Sequence, residues 1–103
     1  MSKVTGIDHI AIYVSHLDEA KKFFLEGLGM EEYGDYGDEY FMKAGNQVFA
    51  LFQGDNTTQT INHIALDVDD FDAMKKHLEE MGYEIYKNDM VDGPDGIRIQ
   101  LVA

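Results

Sequence analysis

Two histidines, His9 and His63, stand in nearly the same sequence: Ile7-Asp8-His9-Ile10-Ala11-Ile12-Tyr13-Val14 and Ile61-Asn62-His63-Ile64-Ala65-Leu66-Asp67-Val68. Two imidazoles brought together from separate segments could share a divalent ion, and imidazole suits Zn, Ni, Fe or Cu. The chain has no cysteine. Thiolate zinc sites, disulfides and cysteine nucleophiles are therefore excluded, and any metal must be held by nitrogen and oxygen. Whether the two rings can meet depends on the elements that carry them.

The likeness continues at a constant offset, pairing Leu17 with Phe71, Asp18 with Asp72, Lys21-Lys22 with Lys75-Lys76, and Phe24 with Leu78. Agreement over about eighteen positions indicates an internal duplication. Units of roughly fifty residues are too small to bury a good core separately, so they should pair about a pseudo-twofold axis. Equivalent residues then sit symmetrically, and His9 and His63 can converge on one point. The chain reads as a single domain over 1–103, with repeat one at about 5–53, a polar connector at 54–60 and repeat two at about 61–103.

Each repeat opens on a strand. Along Ile7 to Val14, even positions are apolar while His9, Ala11 and Tyr13 face the other way. Ser15 with Asp18 resembles a capping box, after which Leu17, Ala20, Phe24 and Leu28 recur at helical spacing until Gly27 and Gly29 end the pattern. Three β-prone segments follow, near Met30 to Tyr33, Glu39 to Lys43 and Gln47 to Phe52. Repeat two has a strand through His63, a cap at Asp69 with Asp72, a helix turning Phe71, Met74, Leu78 and Met81 inward, then strands at Tyr83 to Lys87 and Ile97 to Val102. Little room is left at Asn88 to Asp92, so one strand of this half is expected to be degraded. The fold class is α+β: two βαβββ repeats with helices over the apolar strand faces.

Strand alternation lists the side chains on the face away from the helices. They are His9, Ala11 and Tyr13; His63, Ala65 and Asp67; Arg98, Gln100 and Val102; and Val48, Ala50 and Phe52. Ala50 and Gln100 occupy equivalent places in the two repeats. Tyr13 and Asp67 lie four residues beyond their histidines, ~13 Å at about 3.3 Å per residue, too far to share a ligand shell and suited instead to substrate binding. Arg98 could hold a carboxylate or phosphate of a ligand, or pair with Asp67. His16, at a helix start, and His77, among polar neighbours, read as surface residues. Tyr33, Tyr36, Tyr40 and Phe41 read as packing aromatics that could also wall a cleft.

The His-Ile-Ala strand repeated across two βαβββ units, closing on Gly93-Pro94-Asp95-Gly96-Ile97-Arg98-Ile99-Gln100-Leu101-Val102, resembles the vicinal oxygen chelate superfamily. That group holds glyoxalase I, methylmalonyl-CoA epimerase, extradiol dioxygenases, fosfomycin resistance enzymes and bleomycin resistance proteins. The resemblance implies that the two βαβββ repeats form a cupped, partly open, barrel-like mixed sheet with helices on its outer face, holding a divalent metal (Ni, Zn, Mn or Fe), with His9 and His63 at first-strand ligand positions. Ala50 stands where the first unit often carries Glu, and Gln100 where metal enzymes of the family usually carry Glu. Gln100 can offer its carbonyl oxygen, but a neutral amide cannot serve as a general base near pH 7. The usual glyoxalase I or epimerase route is therefore not expected, and no catalytic acid or base is assigned.

Two functions follow. One is a metal-assisted lyase- or isomerase-like enzyme using His9, His63 and Gln100 on a small oxygen-rich molecule, with Tyr13, Asp67, Arg98, Ala50 and Phe52 around the substrate. The other is a metal-free protein of the bleomycin-resistance type that holds a cationic compound, in keeping with a net charge of -12. The resemblance also implies a homodimer, with sites formed within one chain or across two. The charge opposes nucleic acid and anionic membranes. Apolar runs of five residues, Ile10 to Val14 and Val48 to Phe52, are too short to span a bilayer, so a soluble cytoplasmic protein is expected.

Overall fold

The structure, a computed structural model, describes residue 5, residues 7–55 and residues 61–103; most of the connector read at 54–60 lies outside the described residues. Strand β1 (His9–Val14) alternates as the sequence requires, with Ile12 and Val14 buried and His9, Ala11 and Tyr13 exposed. Helix α1 (Leu17–Lys21) continues directly as a π-helix over Lys22–Gly27. The wider turn buries Phe23 together with its neighbour Phe24, whereas regular helical spacing points only Phe24 inward. Strands β2 (Glu31–Asp35), β3 (Glu39–Ala44) and β4 (Gln47–Gln53) complete the first half.

The second half comprises β5 (Ile64–Asp67), α2 (Phe71–Glu80), β6 (Ile85–Tyr86), β7 (Met90–Asp92) and β8 (Arg98–Val102). The strand expected to be degraded is present in shortened form: β6 has two residues and β7 three. A 3-10 turn at Lys87–Asp89 joins them. Each half forms a four-stranded mixed sheet, ordered β1-β4-β3-β2 and β5-β8-β7-β6. In each, the first strand runs parallel to the last, with Ala11 opposite Ala50 and Ala65 opposite Gln100. That register makes Ala50 and Gln100 true equivalents. The fold is α+β, and among the described residues the two sheets are not joined by strand pairing or closed into a barrel.

Both helix starts differ from their sequence reading. Ser15 does not cap α1; its hydroxyl and backbone N–H both donate to the Asp95 carboxylate. The Leu17 N–H is taken by Gln53 Oε1 of β4 at 3.0 Å, and Gln53 Nε2 donates to the Ser15 carbonyl. Helix α2 is capped by Asp70, which accepts from Ala73 N–H at 3.1 Å, one residue beyond the expected Asp69. A capping pattern in sequence loses here to a partner that tertiary packing supplies.

One apolar core serves both halves. It runs from Ile12, Val14, Phe23, Phe24, Met42 and Leu51 to Leu78, Val91, Ile99 and Leu101. Phe23 meets Tyr83 with ring centroids 5.0 Å apart. His77, an exposed residue as its neighbours suggest, donates from Nε2 to the Glu26 carbonyl at 2.7 Å and so ties the helices together. Gly93 packs directly on the Phe23 ring, where a Cβ would lie 2.5 Å from it. These contacts, with the Ser15–Asp95 pair, fix how one half sits on the other.

Candidate metal and ligand site

The two histidines are built alike. Asp8 Oδ2 lies 2.8 Å from His9 Nδ1, and Asn62 Oδ1 lies 2.8 Å from His63 Nδ1. A carboxylate only accepts, so His9 donates from Nδ1 and keeps the lone pair of Nε2; with the Asn62 amide oxygen forward, His63 does the same. Gln100 is tied in the same sense. Its Nε2 donates to the Asn88 carbonyl at 3.1 Å, which leaves Oε1 as the acceptor end. Asn88 has φ 63°, a left-handed turn conformation that Asn tolerates better than most residues. Among the three ligand candidates, the atom that could not bind a metal is hydrogen-bonded, and the atom that could is left without a partner among the described residues.

The site residues fall into two groups. On the first sheet, His9, Ala11 and Tyr13 lie opposite Val48, Ala50 and Phe52, and Phe41 lies opposite Ala50 on the other side. Four aromatic rings run across this face: Tyr13 to Phe52 at 6.0 Å, Phe52 to Phe41 at 6.4 Å and Phe41 to Tyr36 at 5.7 Å. His9 stands 6.0 Å from Phe41. Ala50 is fully buried, so its small side chain makes room for its larger neighbours and offers no surface of its own. Tyr40, on the opposite side of β3, is core.

On the second sheet, His63 immediately precedes β5, and Gln100 lies opposite Ala65 and Met90. Arg98 does not pair with Asp67. Because β8 runs parallel to β5, Asp67 lies opposite Val102, at the far end of the strand from Arg98. Asp92 of β7 is the partner: its Oδ1 accepts from Arg98 Nε at 3.2 Å and from the Tyr86 hydroxyl at 2.7 Å. The bond to Asp92 raises the Tyr86 pKa and is also the first cause of a raised Arg98 pKa. The Tyr86 ring lies 5.9 Å from the guanidinium carbon, so Arg98 is held on two sides.

No hydrogen bond or ring contact links His9 to His63 or Gln100 among the described residues, and no three His, Cys, Asp or Glu side chains gather into a metal site there. The donor set of His9, His63 and Gln100 contains an amide in place of an acid, so it is not a cluster of that kind. A groove of about 500 Å³ and mixed polarity runs between the halves, lined by Ile10, Met30, Gln47, Phe49, Leu66 and Asp67 among others; of the predicted site residues it takes in Asp67 but not the histidines. Sequence reasoning missed Asp8, Asn62, Asn88, Tyr86 and Asp92. The first two were legible as a repeated acceptor before each histidine. The others depend on a turn and a register that sequence does not give.

Residues 6–101 match the profile of the Glyoxalase/Bleomycin resistance protein/Dioxygenase superfamily. No curated protein matches the sequence. Among solved structures, the genomically encoded fosfomycin resistance protein FosX from Listeria monocytogenes, complexed with Mn(II) and sulfate, is 20% identical, with a TM-score of 0.85 over 98% of this chain and 91% of that one. The integron cassette protein VCH_CASS1 from V. cholerae is 19% identical, with a TM-score of 0.80 over 98% and 96%. A glyoxalase family protein from Enterococcus faecalis is 23% identical, with a TM-score of 0.75 over 93% and 95%. At these identities the likeness speaks for the fold.

Proposed function

The chain belongs to the Glyoxalase/Bleomycin resistance protein/Dioxygenase superfamily, and from that premise we propose a divalent-metal-dependent enzyme of lyase or isomerase type, acting on a small oxygen-rich molecule. His9 Nε2, His63 Nε2 and Gln100 Oε1 would hold the metal. The observation that carries this reading is the treatment of the other three atoms: His9 Nδ1, His63 Nδ1 and Gln100 Nε2 each have a local partner. Metal-binding histidines characteristically donate their second ring nitrogen in this way. Mn(II) in the similarly folded FosX structure supports the choice of a divalent ion.

The donors fit such an ion but bring no charge. Two neutral imidazoles and an amide oxygen make a weaker shell than one containing carboxylate, so substrate oxygens would have to complete it. The ion's contribution would be to polarise adjacent oxygens of the substrate. Arg98, steadied by Asp92 and Tyr86, would orient a polar end of the molecule. Phe52 and Tyr13 would pack against its less polar part, while Ala50 keeps the sheet floor low. Asp67 would contact substrate beyond the metal. A homodimer is part of the proposal, since His9, Tyr13 and Asp67 all face outward in the single chain.

A second reading has its own observation. The four-ring face Tyr13–Phe52–Phe41–Tyr36 in a protein of net charge -12 suits a metal-free site for an organic cation. Calorimetric titration of metal-stripped protein with Ni(II), Zn(II), Mn(II) and Fe(II) separates the two. Saturable binding that is lost in His9→Ala and strengthened in Gln100→Glu is expected for the metal enzyme. Absence of binding to the wild type sinks it and leaves the cation site.

A further inference from the structure

We infer that Asp8 and Asn62 are positioning residues that set which nitrogen of each histidine faces the ligand, and that they do so unequally. This rests on the reading of His9 and His63 as ligands and adds the groups behind them. Both acceptors lie 2.8 Å from an Nδ1 and occupy the same repeat position. Nothing else among the described residues hydrogen-bonds either ring. The tautomer of each is therefore in the hands of one neighbour.

The neighbours differ in what they can do. An ionised carboxylate only accepts, so Asp8 enforces Nδ1–H on a neutral His9. An amide can turn to present either its oxygen or its NH2, and with the NH2 forward Asn62 would donate to Nδ1 and push the proton of His63 to Nε2. His9 is thus held ready to bind through Nε2, while His63 is free to exchange between a binding and a non-binding tautomer. Asp8 also places a negative charge behind one ligand of a set that otherwise has none. The loss of an acid at Gln100 is offset in part from outside the first ring of contacts.

The test is two-bond 1H–15N correlation of the histidine rings in metal-free protein, at a pH where the rings are neutral. Signals are assigned with His9→Gln and His63→Gln. The expected result is Nδ1–H at His9 and a mixture at His63, with Asp8→Asn making His9 resemble His63, and Asn62→Asp making His63 resemble His9. In Asp8→Ala, His9 moves to Nε2–H, the form free histidine prefers in water. Asp8 is almost fully exposed, so the fold should persist, which circular dichroism checks. Where Mn(II) or Zn(II) binds, Asp8→Ala weakens it by about 10- to 100-fold, and Asn62→Ala by less. Nε2–H at His9 in the wild type, or Nδ1–H that survives in Asp8→Ala, overturns the inference. Absence of metal binding with the tautomers as expected overturns only the metal reading.

Discussion

The two halves share a plan and a register, yet they present different chemistry on equivalent faces. The first sheet offers four aromatic rings and a buried Ala50. The second offers a polar set, with Arg98 and Tyr86 both bonded to Asp92 and Gln100 bonded to Asn88. Their helix faces, in contrast, merge into one core. Duplication thus fixed the parts that must pack together, while the faces turned outward diverged. The lesson is that the apolar side is kept, while on the other side only His9 and Ala11 recur, as His63 and Ala65, and the rest differs, Tyr13 from Asp67 and Ala50 from Gln100.

If the core is common to both halves, damage to either should unfold both. Phe23 is fully buried in the first half and touches Tyr83 and the space beside Gly93 in the second. Phe23→Ala is expected to cost about 3–5 kcal/mol, read by urea denaturation as one shifted transition. Two separate transitions would break the comparison at its base. The Ser15–Asp95 tie comes next. Asp95 accepts two bonds from Ser15, and Asp95→Ala would leave both donors without it, a loss of about 1–3 kcal/mol on the same measurement.

A pH dependence sharpens the contrast between buried and exposed tyrosines. Burial, with Glu32 adding to it, pushes Tyr40 up from 10.0 to about 12. The neutral form is favoured by folding, so this contribution to stability is whole below pH 10 and is lost as the pH rises through about 12. Denaturation midpoints should therefore fall across that window in the wild type and fall less in Tyr40→Phe. The smallest effect concerns the helix starts. Asp70 caps α2 from its own end, and Asp70→Ala should cost about 1 kcal/mol. Gln53→Ala removes both a cap for α1 and a bond to Ser15, so the first helix should lose more from a residue on another strand than the second does from its own cap.

Most of the architecture was legible because it rests on period and repetition. His9-Ile10-Ala11 and His63-Ile64-Ala65 announced the duplication, and alternation put Ala11, Ala50, Ala65 and Gln100 on the face away from the helices, while their pairing across strands came from the structure. The failures share a physical cause. Ser15 has two suitable acceptors in principle, Asp18 nearby and Asp95 far along the chain, and sequence spacing favours the near one. Arg98 was read against Asp67 alone, and only the pairing of β8 with β5 and β7 shows that Asp67 lies at the far end of the strand and that Asp92 is the partner. The π-turn that buries both Phe23 and Phe24 has no period of its own to read. Of the candidate site, the two histidines came from the repeat and Gln100 from the family resemblance, whereas the groups bonded to them came from side-chain geometry.

The central claim is that one histidine from each half serves a single metal. Zinc K-edge X-ray absorption of the zinc-loaded protein tests it directly, because imidazole gives a distinct scattering signature with nitrogen at about 2.0 Å. The account predicts two imidazoles per zinc in the wild type, and one in each of His9→Ala and His63→Ala. A single imidazole in the wild type, or two that persist in either variant, would contradict it.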